Sequence, residues 1–200
     1  LKEALKAAED TGDVKTELIT LAGKEIRDCR HCNWCLNKQV EGKFCSQNDD
    51  MVAIYPKVLE ADAILLASPV YLGRLSGYLA CFIDRLRAFA FGNLYRGKLY
   101  NKVGGALSVG WFRNVGVETT LISILFAFMA LEMIPVGPHH GLGALGGAGG
   151  LSSESGADKL APKDKLGVLK DEYGLKGAHS LGHRVVEVTK LLKAGTKQIS

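Results

Sequence analysis

Residues 63–67, Ala-Ile-Leu-Leu-Ala, form a short run without a polar side chain, bounded by Asp62 on one side and Ser68-Pro69 on the other. A strand wetted on one face alternates apolar and polar residues, so an unbroken apolar run of this length reads as a parallel strand covered on both faces. Such cover needs helices, and the flanking sequence supplies them. A helix is expected over Met51–Glu60, introduced by Asp49-Asp50 with acidic charge at the positive end of its dipole. After the run come a loop over Pro69–Gly77 and a helix from about Gly77 to Phe89. Then follow a strand at Lys102–Val109, a loop over Gly110–Val117, a helix over Glu118–Leu131 and a short strand at Met133–Val136. Strand, loop and helix recur, with crossovers long enough for a helix, which predicts an α/β protein built on a doubly wound parallel sheet.

The chain ends fit this plan. Leu1, Ala4, Leu5 and Ala8 share a helix face that stops near Asp10-Thr11-Gly12, and Val14–Leu21 alternates as a half-buried strand does. Gly23 opens a long cysteine-rich loop, an insertion at about 23–49. A Gly-rich loop at about 137–156 and a charged connector lead to a last amphipathic helix over Leu175–Leu192. With no internal repeat and no second core, residues 1–200 read as one domain.

Composition excludes several classes. Twenty-five Lys and Arg against 21 Asp and Glu leave +4 without a dense basic block, so neither a nucleic-acid arm nor a membrane anchor is indicated. The longest apolar stretch, Leu121–Leu131, is roughly half of the ~20 residues that span a bilayer. Residues 1–10 alternate charge with Leu and Ala and lack the apolar centre of a signal peptide, so a cytoplasmic location is expected.

Open parallel sheets bind ligands outside the carboxyl ends of their strands, and segments 68–77, 108–117 and 137–150 all leave strand ends on that edge. In the first, Pro69 and Gly73 shape a tight loop, Tyr71 offers an aromatic face, and Ser76-Gly77 opens a helix whose free N–H groups favour electron-rich atoms. A planar heteroaromatic ring suits it; a structural loop with a surface Tyr is the plain alternative. In the second, Arg113 and Asn114 are placed to donate to a carbonyl or phosphate, with Glu118 in the first helical turn; solvated side chains are the alternative. Gly141, Gly143 and Gly146 spell G-x-G-x-x-G, but more Gly and Ser follow where a helix should open. That string reads as a loop lining a flat ligand rather than a dinucleotide fingerprint. His139-His140 read as loop residues, and His179 with His183 as surface positions.

Four of the five cysteines, Cys29, Cys32, Cys35 and Cys45, crowd into one loop, while Cys81 sits in a helix as a small apolar side chain. Disulfide scaffolds scatter their cysteines, so this cluster reads as a ligand set or as redox-active thiols in a reducing compartment. Spacing by three turns successive thiolates toward one centre, as in the run by which bacterial ferredoxins hold a [4Fe-4S] cluster. Zinc sites pair two separated C-x-x-C knuckles and come behind the cluster; unligated thiols are the third reading. Trp34 and Phe44 either shield such a centre or pack the loop, and His31 is an exposed neighbour.

Together, Cys29-x-x-Cys32-x-x-Cys35 with Cys45, Asp49-Asp50-Met51, Ala61-Asp62-Ala63-Ile64, Ser68-Pro69-Val70-Tyr71-x-Gly73-x-x-Ser76-Gly77, Phe82-Ile83-Asp84-Arg85 and Arg113-x-x-Gly116-x-Glu118-Thr119-Thr120 resemble the iron-sulfur flavoproteins of the NAD(P)H-dependent FMN reductase group. The resemblance implies a flavodoxin-like five-stranded sheet in the order 2-1-3-4-5, FMN and a [4Fe-4S] cluster as cofactors, and a homodimer or homotetramer. By matching position it implies that Ser68, Pro69, Val70, Tyr71, Leu72, Gly73 and Ser76 line the flavin, bordered by Ser108, Gly110, Trp111, Arg113 and Asn114. It implies that Cys29, Cys32, Cys35 and Cys45 ligate the cluster, although Cys45 follows Cys35 at a longer gap than is usual in the family. The family's first strand and phosphate-binding turn are not found from Leu1 onward, so that strand is expected to be missing, with the phosphate-binding residues before Leu1.

The implied function is a flavin-dependent oxidoreductase. It passes electrons from NAD(P)H or ferredoxin through FMN and the cluster to a small-molecule, O2-derived or protein acceptor. The cofactors carry the chemistry and the chain orients and tunes them. Two rivals use the same residues: a cluster-free NAD(P)H-dependent FMN or quinone reductase with free thiols, and a zinc-stabilised protein-binding module.

Overall fold

The computed structural model describes residues 1–111, 115–139, 141, 147–151 and 166–199. The apolar run becomes β1 (Ala63–Tyr71), which turns back at Leu72-Gly73 into the short antiparallel β2 (Arg74–Leu75). β1 pairs in parallel with β3 (Val103–Gly110), in register from Ala63↔Val103 to Pro69↔Val109. The other side of β3 carries two parallel strands in succession, β4 (Ile134–Val136) and β5 (Gly147–Leu151). The helices are α1 (Lys2–Glu9), α2 (Trp34–Asn37), α3 (Met51–Glu60), α4 (Gly77–Arg85), α5 (Arg87–Ala90), α6 (Val117–Ala130) and α7 (Glu172–Ile199).

Alternation along β3 divides its side chains between two cores. Val103 and Leu107 pack with Ala4 of α1 and Ala178, Leu181 and Val185 of α7. Ala106, with Leu66 of β1, joins the larger core, where α3, α4, α5 and α6 contribute Met51, Leu79, Phe89 and Phe128 among others. Helices on both faces of a mainly parallel sheet are the doubly wound arrangement that a continuous apolar strand demands.

Three expectations are corrected. Val14–Leu21 forms no strand, although Ile19 and Leu21 do pack against the larger core. Strand formation requires a paired edge, and β1 pairs only with β2 and β3 among the described residues. The helix expected over Gly77–Phe89 is two helices, broken at Leu86, whose N–H is shared between the Phe82 and Ile83 carbonyls at 3.2 and 3.0 Å. The Gly-rich segment contains β5 where only loop was expected. A Cβ on Gly147 would lie 2.7 Å from Leu121 Cδ2 and 2.8 Å from the Ala106 carbonyl oxygen, so this strand starts on a residue without a side chain. No helix among the described residues is long and apolar enough to cross a membrane.

Candidate functional site

The two strand-end segments meet because β1 and β3 end side by side, with Ser68 opposite Ser108. β1 continues beyond Pro69, and Leu72 and Gly73 take left-handed φ values of 49° and 78°, so the tight loop expected from the sequence is a two-residue hairpin. Ser68 Oγ accepts from the Ser76 N–H at 2.9 Å and donates to the Pro69 carbonyl at 2.8 Å. Ser76 Oγ caps α4 by accepting from the Leu79 N–H at 3.3 Å. Both hydroxyls therefore hold the hairpin's shape, while Tyr71 and Leu72 are exposed at its tip. Gly116, at φ 107°, lies directly against it: a Cβ there would fall 2.3 Å from the Gly73 carbonyl oxygen, so the hairpin and the start of α6 touch as bare backbone.

Ser108 Oγ is buried without a hydrogen-bond partner among the described residues. Leaving a buried hydroxyl unpaired costs about 1–3 kcal/mol, so the position suits a polar ligand atom. Beside it Gly110 is buried and Trp111 half-buried. Arg113, Asn114, His140, Gly143 and Gly146 lie outside the described residues.

The cysteine loop is tied down at its base and its crown. At the base, Arg85 is a cation on the buried face of α4, with its side chain 1% exposed against an Asp49 side chain of 0%. Its Nη1 and Nη2 stand 2.5 and 3.2 Å from the two Asp49 oxygens, and Nη1 also donates to the Arg27 carbonyl at 3.0 Å. Asp49 accepts from the Arg27 and Met51 N–H groups, each at 3.2 Å, and Asp50 accepts from the Glu25 N–H at 2.7 Å. The acids expected to cap α3 thus join the two limbs of the loop. Burial works to raise the Asp49 carboxyl; Arg85 and the two amides outweigh it and hold it below the ordinary carboxylate range.

At the crown, buried Gln39 donates to the Phe44 and Ala88 carbonyls at 2.9 and 3.0 Å and accepts from the Leu94 and Tyr95 N–H groups at 3.1 and 3.2 Å. Phe44 stacks on Tyr55 and Tyr95, centroids 5.0 and 4.1 Å away, so it packs the loop. Sequence reading passed over Gln39 and gave Arg85 no role. The available signal was Arg85 itself, a charge interrupting the stripe of Leu79, Phe82 and Leu86.

All five cysteines are free thiols. His31 and Asn33, at φ 50° and 57°, bracket exposed Cys32, whose Sγ lies 3.3 Å from Ser46 Oγ; that hydrogen bond leads the effects that lower its pKa. Half-buried Cys35 is raised first by burial, against the opposing pull of Arg87, and further by Cys45 and Cys29, so these three thiols interact electrostatically. Arg87 Nη1 stands 3.9 Å from Cys35 Sγ. Cys45 borders a cavity of about 310 Å³ also lined by Phe44, Gln47 and Tyr55. No three Cys, His, Asp or Glu side chains among the described residues are placed to hold a single metal ion. Four thiols on one loop are the donor type that a four-iron cluster takes, one thiolate to each iron. A larger cavity of about 540 Å³ is lined by His139, His179, His183 and Glu187 and by none of the cysteines. There His139 pairs with Glu187 and His179 with Glu3, both at 3.1 Å.

A parallel sheet covered on both faces, with its ligand edge at the strand ends, is the flavodoxin-like class, and solved structures share the fold. A crystal structure of RosB with bound 8-demethyl-8-formylriboflavin-5'-phosphate matches at TM-score 0.72 and 19% identity, covering 96% of this chain and 71% of that one. A flavone reductase matches at TM-score 0.61 and 18% identity, covering 96% and 58%. Within this class, residues 1–143 match the model of the NADPH-dependent FMN reductases; the chain belongs to that family and is a flavin-dependent oxidoreductase. An iron-sulfur flavoprotein of Methanocaldococcus jannaschii is 42% identical over 193 residues, 96% of this chain and 90% of its own. One from Archaeoglobus fulgidus is 32% identical over 190 residues, 94% and 88%.

Proposed function

We propose that the chain holds FMN along the strand-end edge and a [4Fe-4S] cluster in the cysteine loop, and passes electrons from NAD(P)H or ferredoxin to a small-molecule, O2-derived or protein acceptor. The observation that carries this reading is the thiol-only donor set, Cys29, Cys32, Cys35 and Cys45, in one loop braced by the Asp49–Arg85 pair and Gln39. Family membership supports FMN, and the names of the relatives support iron and sulfide. When bound, FMN exchanges electrons in pairs or singly and a cluster takes them singly. Pro69, Val70, Tyr71, Leu72 and Gly73 form one wall of the flavin site, shaped by Ser68 and Ser76. Ser108, Gly110 and Trp111 form the other, where the unpaired Ser108 hydroxyl meets a polar flavin atom.

The cysteine loop is an insertion at about 23–49 in a single domain. The protein works as a homodimer or homotetramer in the cytoplasm, whose reducing conditions keep clustered thiols available as ligands. Anaerobic preparation with iron and sulfide tests the reading. The expected spectrum is that of a flavin overlaid by broad cluster absorption. A flavin spectrum alone returns the chain to the cluster-free reductases, and colourless protein overturns both assignments.

A further inference from the structure

We infer that Arg87 raises the reduction potential of the centre in the cysteine loop by aiming a positively charged N–H group at the Cys35 sulfur. The inference rests on the cluster reading above and concerns a residue to which neither the sequence motifs nor the family resemblance gave a role. Arg87 opens α5 immediately after the break at Leu86, so two arginines two positions apart serve different parts of the loop. Arg85 is committed to Asp49 and the Arg27 carbonyl at the base. Arg87 reaches the segment 31–35 instead.

Its fork is fixed at several points. Nη2 donates to Asn33 Oδ1 at 2.9 Å and lies 3.4 Å from His31 Nε2, and the guanidinium carbon sits 5.6 Å from the centroid of Phe91. Nη1 is left directed at Cys35 Sγ, 3.9 Å away. Among the described residues no carboxylate pairs with this guanidinium, so its charge is not cancelled locally, and partial burial keeps water from screening it fully. Asn33 contributes through its left-handed backbone, which is found for Asn far more readily than for most residues.

Reduction adds one electron to a cluster, supplied here by an external reductant, and makes or breaks no bond. The added negative charge rests partly on the ligand sulfurs. A cation and an N–H donor at one of them therefore stabilise the reduced form more than the oxidised one. Arg87 is a positioning and tuning residue; it need not touch a substrate.

The test is a redox titration of the reconstituted holoprotein with dithionite, following the reduced cluster by electron paramagnetic resonance. Arg87→Met is expected to disfavour reduction about tenfold, a shift of about 59 mV to lower potential for a one-electron couple. Arg87→Lys keeps the charge without the fork and falls between Arg87→Met and the wild type. Asn33→Gly keeps the left-handed backbone, releases the aim of Arg87 and shifts the potential in the same direction by less. Lys38→Gln removes an exposed cation from the same loop and leaves the potential in place. A wild-type potential in Arg87→Met, or an equal shift in Lys38→Gln, overturns the inference. If Arg87→Met takes up no cluster, Arg87→Lys and Asn33→Gly decide: wild-type potentials in both overturn it. A wild-type chain that takes up no iron overturns the cluster reading itself, an outcome distinct from a cluster indifferent to Arg87.

Discussion

Asp49 and Arg85 show how one pair of residues holds a loop that has almost no regular structure. Both side chains are removed from water, so each is tolerable only with the other. Asp49→Asn would leave a buried guanidinium without its counter-charge, at an expected cost of about 3–5 kcal/mol read from denaturant midpoints. Glu25→Gln, at the exposed Arg27 pair, should cost no more than ~1 kcal/mol. The pH dependence follows from the direction of the Asp49 shift. Because its folded pKa is depressed, its contribution is complete above the unfolded value near pH ~4 and disappears as pH falls through the lower folded value. The stability gap between wild type and Asp49→Asn should therefore narrow on acidification below about pH 4. A gap that stays constant down to about pH 2 would contradict this. In the sequence, Asp49 was visible as a helix start and Arg85 as a charge within an apolar stripe, but their pairing was not, because a pair joined through the tertiary fold leaves no shared local pattern.

At the scale of elements, legibility followed burial. β1 stood out because cover on both faces leaves an uninterrupted apolar run, α3 through the acidic start at Asp49-Asp50, and α6 as an apolar segment with Glu118 in its first turn. β5 did not, since Gly-Ala-Gly-Gly has no hydropathy to read; its place is set by the room between Leu121 and Ala106. Val14–Leu21 was read for its alternation, yet pairing belongs to two segments together and periodicity reports only one. The α1–α7 contact offers an element-scale test. A Cβ on Gly182 would fall 2.1 Å from the Ala4 carbonyl oxygen, so Gly182→Val must push the two helices apart. A loss of about 1–3 kcal/mol is expected in thermal or chemical unfolding; unchanged stability would show that this contact is loose.

For the whole molecule, the fold brings two chemically different regions onto one frame: a strand-end edge with an unpaired buried hydroxyl, and a loop of free thiols clasped by arginines from the helices that follow β2. The sequence named the segments of both, since glycines, a tyrosine and closely spaced cysteines are local signals. It did not show that Ser68 and Ser76 turn their hydroxyls inward to the hairpin while Ser108 keeps its own uncommitted, because that depends on register between strands. If Ser108 meets the flavin, Ser108→Ala should weaken FMN binding by about tenfold in a fluorescence titration, the scale of one hydrogen bond. Equal affinity would remove Ser108 from the site. The most direct test of the account as a whole is a count of iron and acid-labile sulfide per bound flavin in anaerobically purified protein. About four of each is the predicted result; a full complement of flavin with neither iron nor sulfide would contradict it.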